Sequence, residues 1–218
     1  MLVDFTDYNN AANLINTSHQ QLWTELEQAF QNMPLFLKSS AQASRQGDAI
    51  FDPIATNSFL FSVLSQKNWQ AAYPMPAQFD FLGTDIDFAK SGTLVEVQFS
   101  NYPYLLNNVL RAEMLYKSRT IIQNNTPANL LILVTKFNCL PASNSTLYYE
   151  QAVNQLNAMV SNSMLSMPIR LVGLHESIMQ THAYWTDYTG GVSSRTILNQ
   201  GMQTVQITQS RSGKLKIV

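Results

Sequence analysis

The stretch Asp85-Ile-Asp-Phe-Ala-Lys-Ser-Gly-Thr-Leu-Val-Glu-Val-Gln-Phe-Ser-Asn101 reads as two strands joined by a tight turn at Ala89-Lys90-Ser91-Gly92. Its second half alternates. Leu94, Glu96 and Gln98 share one face, and Val95, Val97 and Phe99 share the other. The turn folds the strand carrying Asp85 and Asp87 back along the strand carrying Glu96 and Gln98, so a hairpin brings Asp87 and Glu96 together. Two carboxylates so placed repel each other unless a cation sits between them. Hard oxygen ligands suit Mg²⁺, which needs only one or two carboxylates and completes its octahedron with water and phosphate oxygens. Phosphodiester hydrolysis needs such a metal to polarise the phosphate, position a water and stabilise the leaving oxygen. The plainer alternative is a hairpin bearing two solvated acids.

Outward from the hairpin, helical and strand patterns alternate. Residues 1–16 suggest a strand followed by a short helix. Gln20 to Gln31 reads as an amphipathic helix, with Leu22, Trp23, Leu26, Ala29 and Phe30 on its apolar side and Pro34 beyond its end. The polar stretch Ala41 to Asp52 could face DNA as a loop or helix. Asn57 to Trp69 is a second amphipathic helix, stopped by Tyr73-Pro74-Met75-Pro76. Phe79 to Phe88 and Thr93 to Phe99 form the central hairpin. Leu105 to Ile122 is the longest helical pattern and carries more apolar side chains than one face needs, which fits either a deeply buried helix or a dimer contact. Asn129 to Lys136 and Ile169 to Leu174 are apolar runs, as expected of strands buried on both faces, and Leu147 to Met164 is a helix between them. Strands interleaved with helices predict an α/β core around a mixed sheet. After Glu176 the composition shifts to Thr, Gln, Ser, Gly and Tyr. The expected division is therefore a core over 1–175, containing the hairpin region 79–101, and a small β-rich subdomain over 176–218.

The length of 218 residues suits one such domain with its appendage. Charged residues make up only 12% and the net charge is −1, with a pI near 6.3. That balance argues against indiscriminate nucleic-acid binding, which depends on phosphate neutralisation. It leaves room for a site-specific DNA enzyme with a few cations on one concave face and acids at a metal site. The sequence opens without a basic run and long apolar stretch, and no apolar segment reaches membrane-spanning length. Cys139 is the single cysteine and lies in an apolar run, so it reads as core, and a reducing cytoplasm is the expected location.

Asp87, Glu96 and Gln98 follow the order of the PD-(D/E)xK nuclease signature, with Gln98 where lysine is usual. Longer strings go further. Phe79-Asp-Phe-Leu-Gly-Thr-Asp-Ile-Asp-Phe88, Leu94-Val-Glu-Val-Gln-Phe-Ser-Asn-Tyr-Pro103, Leu105-Leu-Asn-Asn108, Pro141-Ala-Ser-Asn-Ser145, Leu147-Tyr-Tyr-Glu-Gln151, Asn154-Gln-Leu-Asn157 and Pro168-Ile-Arg-Leu-Val-Gly-Leu174 resemble the BglII and BstYI-like type II restriction endonucleases. So do Asp4-Phe-Thr-Asp-Tyr-Asn9 and Ile50-Phe-Asp-Pro53. The likeness covers most of residues 1–174 and thins out beyond them.

The resemblance implies a homodimeric, Mg²⁺-dependent endonuclease that cuts double-stranded DNA at a palindrome with a GATC centre and leaves four-base 5′ overhangs. It also implies a cognate DNA methyltransferase to protect the host. Asp87 and Glu96 would hold the metal, with the Val97 carbonyl as a third ligand. Gln98, uncharged and without a proton to exchange, could only orient the attacking water. Ser100, Asn101, Asn144, Ser145 and Arg195 fall where such enzymes contact DNA. Asn suits bidentate pairing with adenine, and Ser can donate or accept at any base edge. Ser143, Asn144 and Ser145 could instead cap the helix that follows. Ser193 stands where the BglII pattern has tyrosine, which leaves the outer base pair open among AGATCT, a relaxed RGATCY and another outer pair.

Other candidates carry less. His19, His175 and His182 lack triad or zinc spacing. Lys117 and Arg119 could touch phosphates or simply suit the end of a helix. Two other function classes are a DNA-binding protein on the same scaffold without catalysis, and a carboxylate-pair glycosidase. The first should have lost one of Asp87, Glu96 and Gln98, and all three are present.

Overall fold

The computed structural model describes residues 1–43, 46–142, 146–177, 180–189, 195–209 and 215–217. In chain order the strands and helices are β1 (Leu2–Tyr8), α1 (Ala11–Leu14), α2 (Gln20–Gln31), β2 (Leu35–Ser39), β3 (Ala49–Phe51), α3 (Pro53–Ser65), β4 (Gln70–Pro74), β5 (Asp85–Lys90), β6 (Thr93–Val97) and α4 (Tyr104–Lys117). There follow β7 (Ile121–Ile122), β8 (Thr126–Pro127), β9 (Leu130–Lys136), α5 (Tyr149–Ser161), β10 (Ile169–His175), β11 (Gln180–Tyr188), β12 (Ile197–Gln209) and β13 (Leu215–Ile217).

A six-stranded mixed sheet, in the order β1-β10-β9-β6-β5-β4, forms the centre. The three middle strands are parallel, and β1, β5 and β4 pair antiparallel at the two sides. Helices cover both faces, which is why β9 is buried along all seven residues. On one side Trp23, Leu26 and Phe30 of α2, with Leu60 and Leu64 of α3, pack on Val95, Val134 and Val172. On the other, Leu105, Val109 and Leu115 of α4, with Ala152 and Leu156 of α5, pack on Leu94, Leu131 and Leu171. The class is α/β, as the interleaved patterns imply.

The hairpin closes at Lys90↔Thr93. Its two turn residues, Ser91 and Gly92, both have positive φ (45° and 84°). Such a turn matches the right-handed twist of the flanking strands, and glycine supplies the left-handed conformation without a Cβ penalty. The first strand is shorter than the expected Phe79–Phe88. Ala77–Leu82 is instead a 3₁₀ turn, framed by Pro76 and by Gly83 at φ 129°. The alternation of Phe79, Phe81 and Leu82 mimics a strand, but Pro and Gly at the two ends favour a short turn. The helix expected at Asn57 begins earlier, at Pro53, because the buried Asp52 caps it. Its carboxylate accepts from the Ile54 and Ala55 amides at 3.0 and 3.4 Å, and proline suits the first helical position. α4 ends at Lys117 rather than Ile122, since Ile121–Ile122 turn back into a two-stranded ribbon with Thr126–Pro127.

Residues beyond 176 supply three strands of a second sheet, ordered β13-β12-β11-β2-β3. Two of its five strands thus come from the N-terminal part, and β11 pairs parallel with β2 through Ala183↔Leu35 to Trp185↔Leu37. The Tyr188 hydroxyl donates to Asp52 at 2.6 Å, tying the end of β11 to the start of α3. Among the described residues no helix is long and apolar enough to cross a membrane.

Candidate active site

β5 and β6 pair from Lys90↔Thr93 to Phe88↔Val95, and Asp87 and Glu96 are the next residues of the two strands. Asp87 does not point free. Its Oδ2 accepts from the Val97 amide at 2.7 Å, so the strand end itself orients the carboxylate. Opposite Asp87 on the other side, the pairing of β4 with β5 skips Ala72 between Ala71↔Phe88 and Tyr73↔Ile86. Ala72 has φ 46°, a conformation that L residues rarely adopt. Asp85, Asp87, Ala72 and Val97 line a cavity of about 420 Å³ together with Asn57, Ser58 and Phe61 of α3. The acids therefore face open space rather than packed core.

Glu96 is 2% exposed and forms an ion pair with Arg111 of α4. Arg111 also donates to the Asp85 carbonyl at 2.8 Å and to Asn108 Oδ1 at 3.1 Å. Asn108 in turn donates to Gln98 Oε1 at 3.2 Å. The Gln98 amide donates onward to Ser100 Oγ at 2.8 Å and to the Asn101 carbonyl at 3.2 Å. One chain of hydrogen bonds thus runs from Asp85 and Glu96 through Arg111, Asn108 and Gln98 to Ser100 and Asn101. Gln98 therefore bonds within the protein, and both amide protons are spent on the segment that follows β6. In this arrangement it connects the acids to Ser100 and Asn101.

The electrostatics of the pair are under-compensated. Burial first, and then the neighbouring Asp87 carboxylate, push Glu96 up to about 8, although Arg111 acts in the opposite direction. Burial likewise raises Asp87, against the lowering effect of the Val97 amide and Arg111. One arginine does not offset two buried acids, and a divalent cation would. Among the described residues no three His, Cys, Asp or Glu side chains gather as a metal cluster. A cation here would rely on two carboxylates and a backbone carbonyl. That small oxygen donor set fits Mg²⁺ and not the nitrogen and sulfur ligands of zinc.

Ser100 lies beside the acids' cavity, in a second cavity of about 490 Å³ that also takes in Arg195, Val97, Phe99 and the start of α3. Asn57, Ser58 and Val97 line both cavities, so the two are contiguous. Asn101 is exposed and bridges to Thr146. Asn144 and Ser145 lie outside the described residues, as does Ser193. Lys117 and Arg119 line a different cavity, with Pro127 and Asn129, and Lys117 sits 3.8 Å from Glu113. The histidines are dispersed. His19 is buried, with its ring nitrogens bonded to Ser18 at 2.8 Å and Asn129 at 3.0 Å, and burial lowers its pKa. His175 pairs with Asp4, and His182 with Thr204.

Arg111 and Asn108 escape a reading of the sequence. The signal they leave is slight: two polar side chains, three apart, on a helix face that carries Leu105, Val109, Ala112 and Leu115 and also the buried Glu113.

A family model described as restriction endonuclease BglII/BglIII matches residues 3–174. The type II restriction enzyme BglII of Bacillus subtilis is 48% identical over 198 residues, covering 90% of this chain and 87% of the relative. A crystal structure of BglII complexed with a DNA 16-mer matches all of this chain and 99% of its own, at TM-score 0.93 and 44% identity. Free BglII, matched over both full chains at 42% identity, gives a TM-score of 0.75. The shape of this chain is thus nearer to that of the DNA-complexed relative.

Proposed function

The chain belongs to the restriction endonuclease BglII/BglIII family, and from that premise we propose that it is a type II restriction endonuclease acting as a homodimer. It hydrolyses double-stranded DNA with Mg²⁺ at a palindrome centred on GATC, AGATCT or RGATCY, and leaves four-base 5′ overhangs. The observation that supports this most is the single chain of hydrogen bonds that joins Glu96 and Gln98 to Ser100 and Asn101, with Asp87 fastened to the Val97 amide beside it.

In this reading Asp87, Glu96 and the Val97 carbonyl hold Mg²⁺, which when bound polarises the scissile phosphate, positions a water and stabilises the leaving oxygen. Arg111 keeps Glu96 in place. Gln98, fastened between Asn108 and the strand end, sets the acids relative to Ser100 and Asn101. Those two residues, with Asn144, Ser145 and Arg195, contact DNA. A palindromic site calls for two copies of the protein, and α4 offers a face for pairing: Leu106 and Leu110, one turn apart, are 46% and 51% exposed. A methyltransferase protecting the same sequence completes the system.

Incubating the purified protein with unmethylated plasmid of known sequence and Mg²⁺, then mapping the ends, tests the proposal. Discrete 5′-GATC overhangs are expected, with the flanking bases defining the outer pair. GATC-specific retention in a gel shift without cutting would point instead to a binding protein on a nuclease scaffold. Neither cutting nor binding would remove the basis for the reading.

The raised pKa of Glu96 makes metal binding pH-dependent. The carboxyl lies near 8 when folded, against an ordinary 4.5. Between those values the folded protein holds a proton that the unfolded chain has lost. The metal-free protein therefore loses stability as pH rises through that window. Mg²⁺ binding must displace this proton, so its apparent affinity should climb about tenfold per pH unit up to about 8 and then level off. Titration calorimetry at pH 7, in buffers of different ionisation enthalpy, should count close to one proton released. Binding that releases none would contradict this account of Glu96.

A further inference from the structure

Lys136 ends β9 and is 1% exposed, so its charge lies inside the protein. Its ammonium donates to the Phe99 carbonyl at 3.2 Å. Three rings surround it: Tyr148 at 5.3 Å, and Phe51 and Phe99 both at 5.6 Å from nitrogen to ring centre. Among the described residues no carboxylate lies within ion-pair distance of it. The aromatic faces take the place of a counter-ion, as they do when a cation is drawn out of water. Burial pushes this amine down to about 7, a direct mark of what the enclosure costs.

Each ring borders a segment of the active site. Phe51 precedes Asp52, the cap of α3, whose Asn57 and Ser58 line both cavities. Phe99 precedes Ser100 and Asn101. Tyr148 follows the stretch that contains Asn144 and Ser145. Backbone bonds join the same three segments: Phe51 to Pro141 at 2.8 Å and Leu147 to Ser100 at 2.9 Å. Phe51 and Phe99 also meet edge to face, 5.0 Å apart.

We propose that Lys136 is a positioning residue for base discrimination: its buried ammonium, fixed on the Phe99 carbonyl and caged by Phe51, Phe99 and Tyr148, holds Ser100–Asn101 in register with the chain flanking residues 143–145. The proposal rests on the endonuclease reading and adds a residue that does not itself touch DNA. A methionine would fill the same space without a charge to desolvate, so for stability alone the lysine is the poorer choice. What the lysine adds is a directed bond and three ring contacts centred on one atom, which fix relative positions more tightly than apolar packing does.

Lys136→Met tests this, read as the ratio of kcat/KM on the palindromic duplex to kcat/KM on a duplex with one GATC base pair changed. The thermal midpoint should stay level or rise, while the ratio falls about tenfold or more, the scale of one well-made base contact. Phe51→Leu keeps the lysine, thins the cage, and should lower the ratio in the same direction. An unchanged ratio in both variants overturns the proposal, even if cleavage of every duplex slows equally. So does failure of both variants to fold, which would make Lys136 a core residue only. A wild-type protein that cuts neither duplex, or both alike, sinks the endonuclease reading itself. A discriminating wild type beside equally discriminating variants sinks this proposal alone.

Discussion

Alanine at Asp87 or Glu96 is expected to slow strand cleavage by roughly a thousandfold or more, while specific DNA binding survives. Asp87 lines the cavity and Glu96 is buried against Arg111, and as carboxylates both only accept, which suits neither to reading the N7 and O6 acceptors of guanine. Burial raises both pKa values, with the Asp87 carboxylate adding to the rise at Glu96 and the Asp85 carboxylate to that at Asp87. That is unfavourable in the metal-free protein and is relieved by a cation. The amide variants separate this role from a structural one. Asp87→Asn can still accept from the Val97 amide, now 2.7 Å from Asp87, and Glu96→Gln can still accept from Arg111. Asp87→Asn should match or exceed the wild type in metal-free stability at pH 8, since it removes one of two repelling charges, yet cleave as poorly as the alanine variant. Single-turnover cleavage and gel shifts on one cognate duplex read both quantities. Loss of specific binding in folded variants would show that the acids do something other than hold metal.

How much of this was readable beforehand depended on the range over which the signal acts. The hairpin is legible because period-2 alternation and a Ser-Gly turn are local, and the register they set, ending at Phe88↔Val95, brings Asp87 and Glu96 to the same end of the hairpin. β9 and β10 were visible as apolar runs because the sheet is covered on both faces. The partner of β11 was not, since pairing with β2 joins residues near 36 and 184 and leaves no mark in either segment. The 3₁₀ turn at Ala77–Leu82 was hidden by its strand-like alternation. At the site, acids and amide were legible by type and spacing. What holds them was not, because Arg111 and Asn108 arrive from a helix, and a buried polar side chain is defined by its partners rather than by its neighbours in sequence.

Arg111→Met is the second large effect. It should destabilise the metal-free protein at pH 5 by the hydrogen bonds lost, and by roughly 2 kcal/mol more at pH 9.5, since each pH unit above the Glu96 pKa adds about 1.4 kcal/mol. The side chains of Arg111 and Glu96 are 10% and 2% exposed, so solvent screens little of the interaction. Above pH 8 Glu96 ionises in the folded wild type, whereas without Arg111 the buried carboxyl keeps its proton to higher pH, so the variant forgoes the stability that ionised Glu96 gains from its partner. At pH 5 the folded protein keeps Glu96 protonated in either case, and the variant loses only hydrogen bonds to the Asp85 carbonyl, Asn108 and a neutral carboxyl. The penalty therefore grows as pH rises through the Glu96 pKa. Urea unfolding in EDTA at the two pH values measures it, and a penalty independent of pH would mean that Glu96 does not change charge in this range. Cleavage tells the other half. Removing a positive charge should not weaken the hold on Mg²⁺, so saturation with metal remains attainable. Yet Glu96 loses its anchor, and Asn108 loses the bond that aims it at Gln98. At saturating Mg²⁺ and DNA, single-turnover cleavage should fall about 10–100-fold, as when the residues that orient metal ligands are removed. A variant that cuts at the wild-type rate would leave Arg111 as a stabilising ion-pair partner alone.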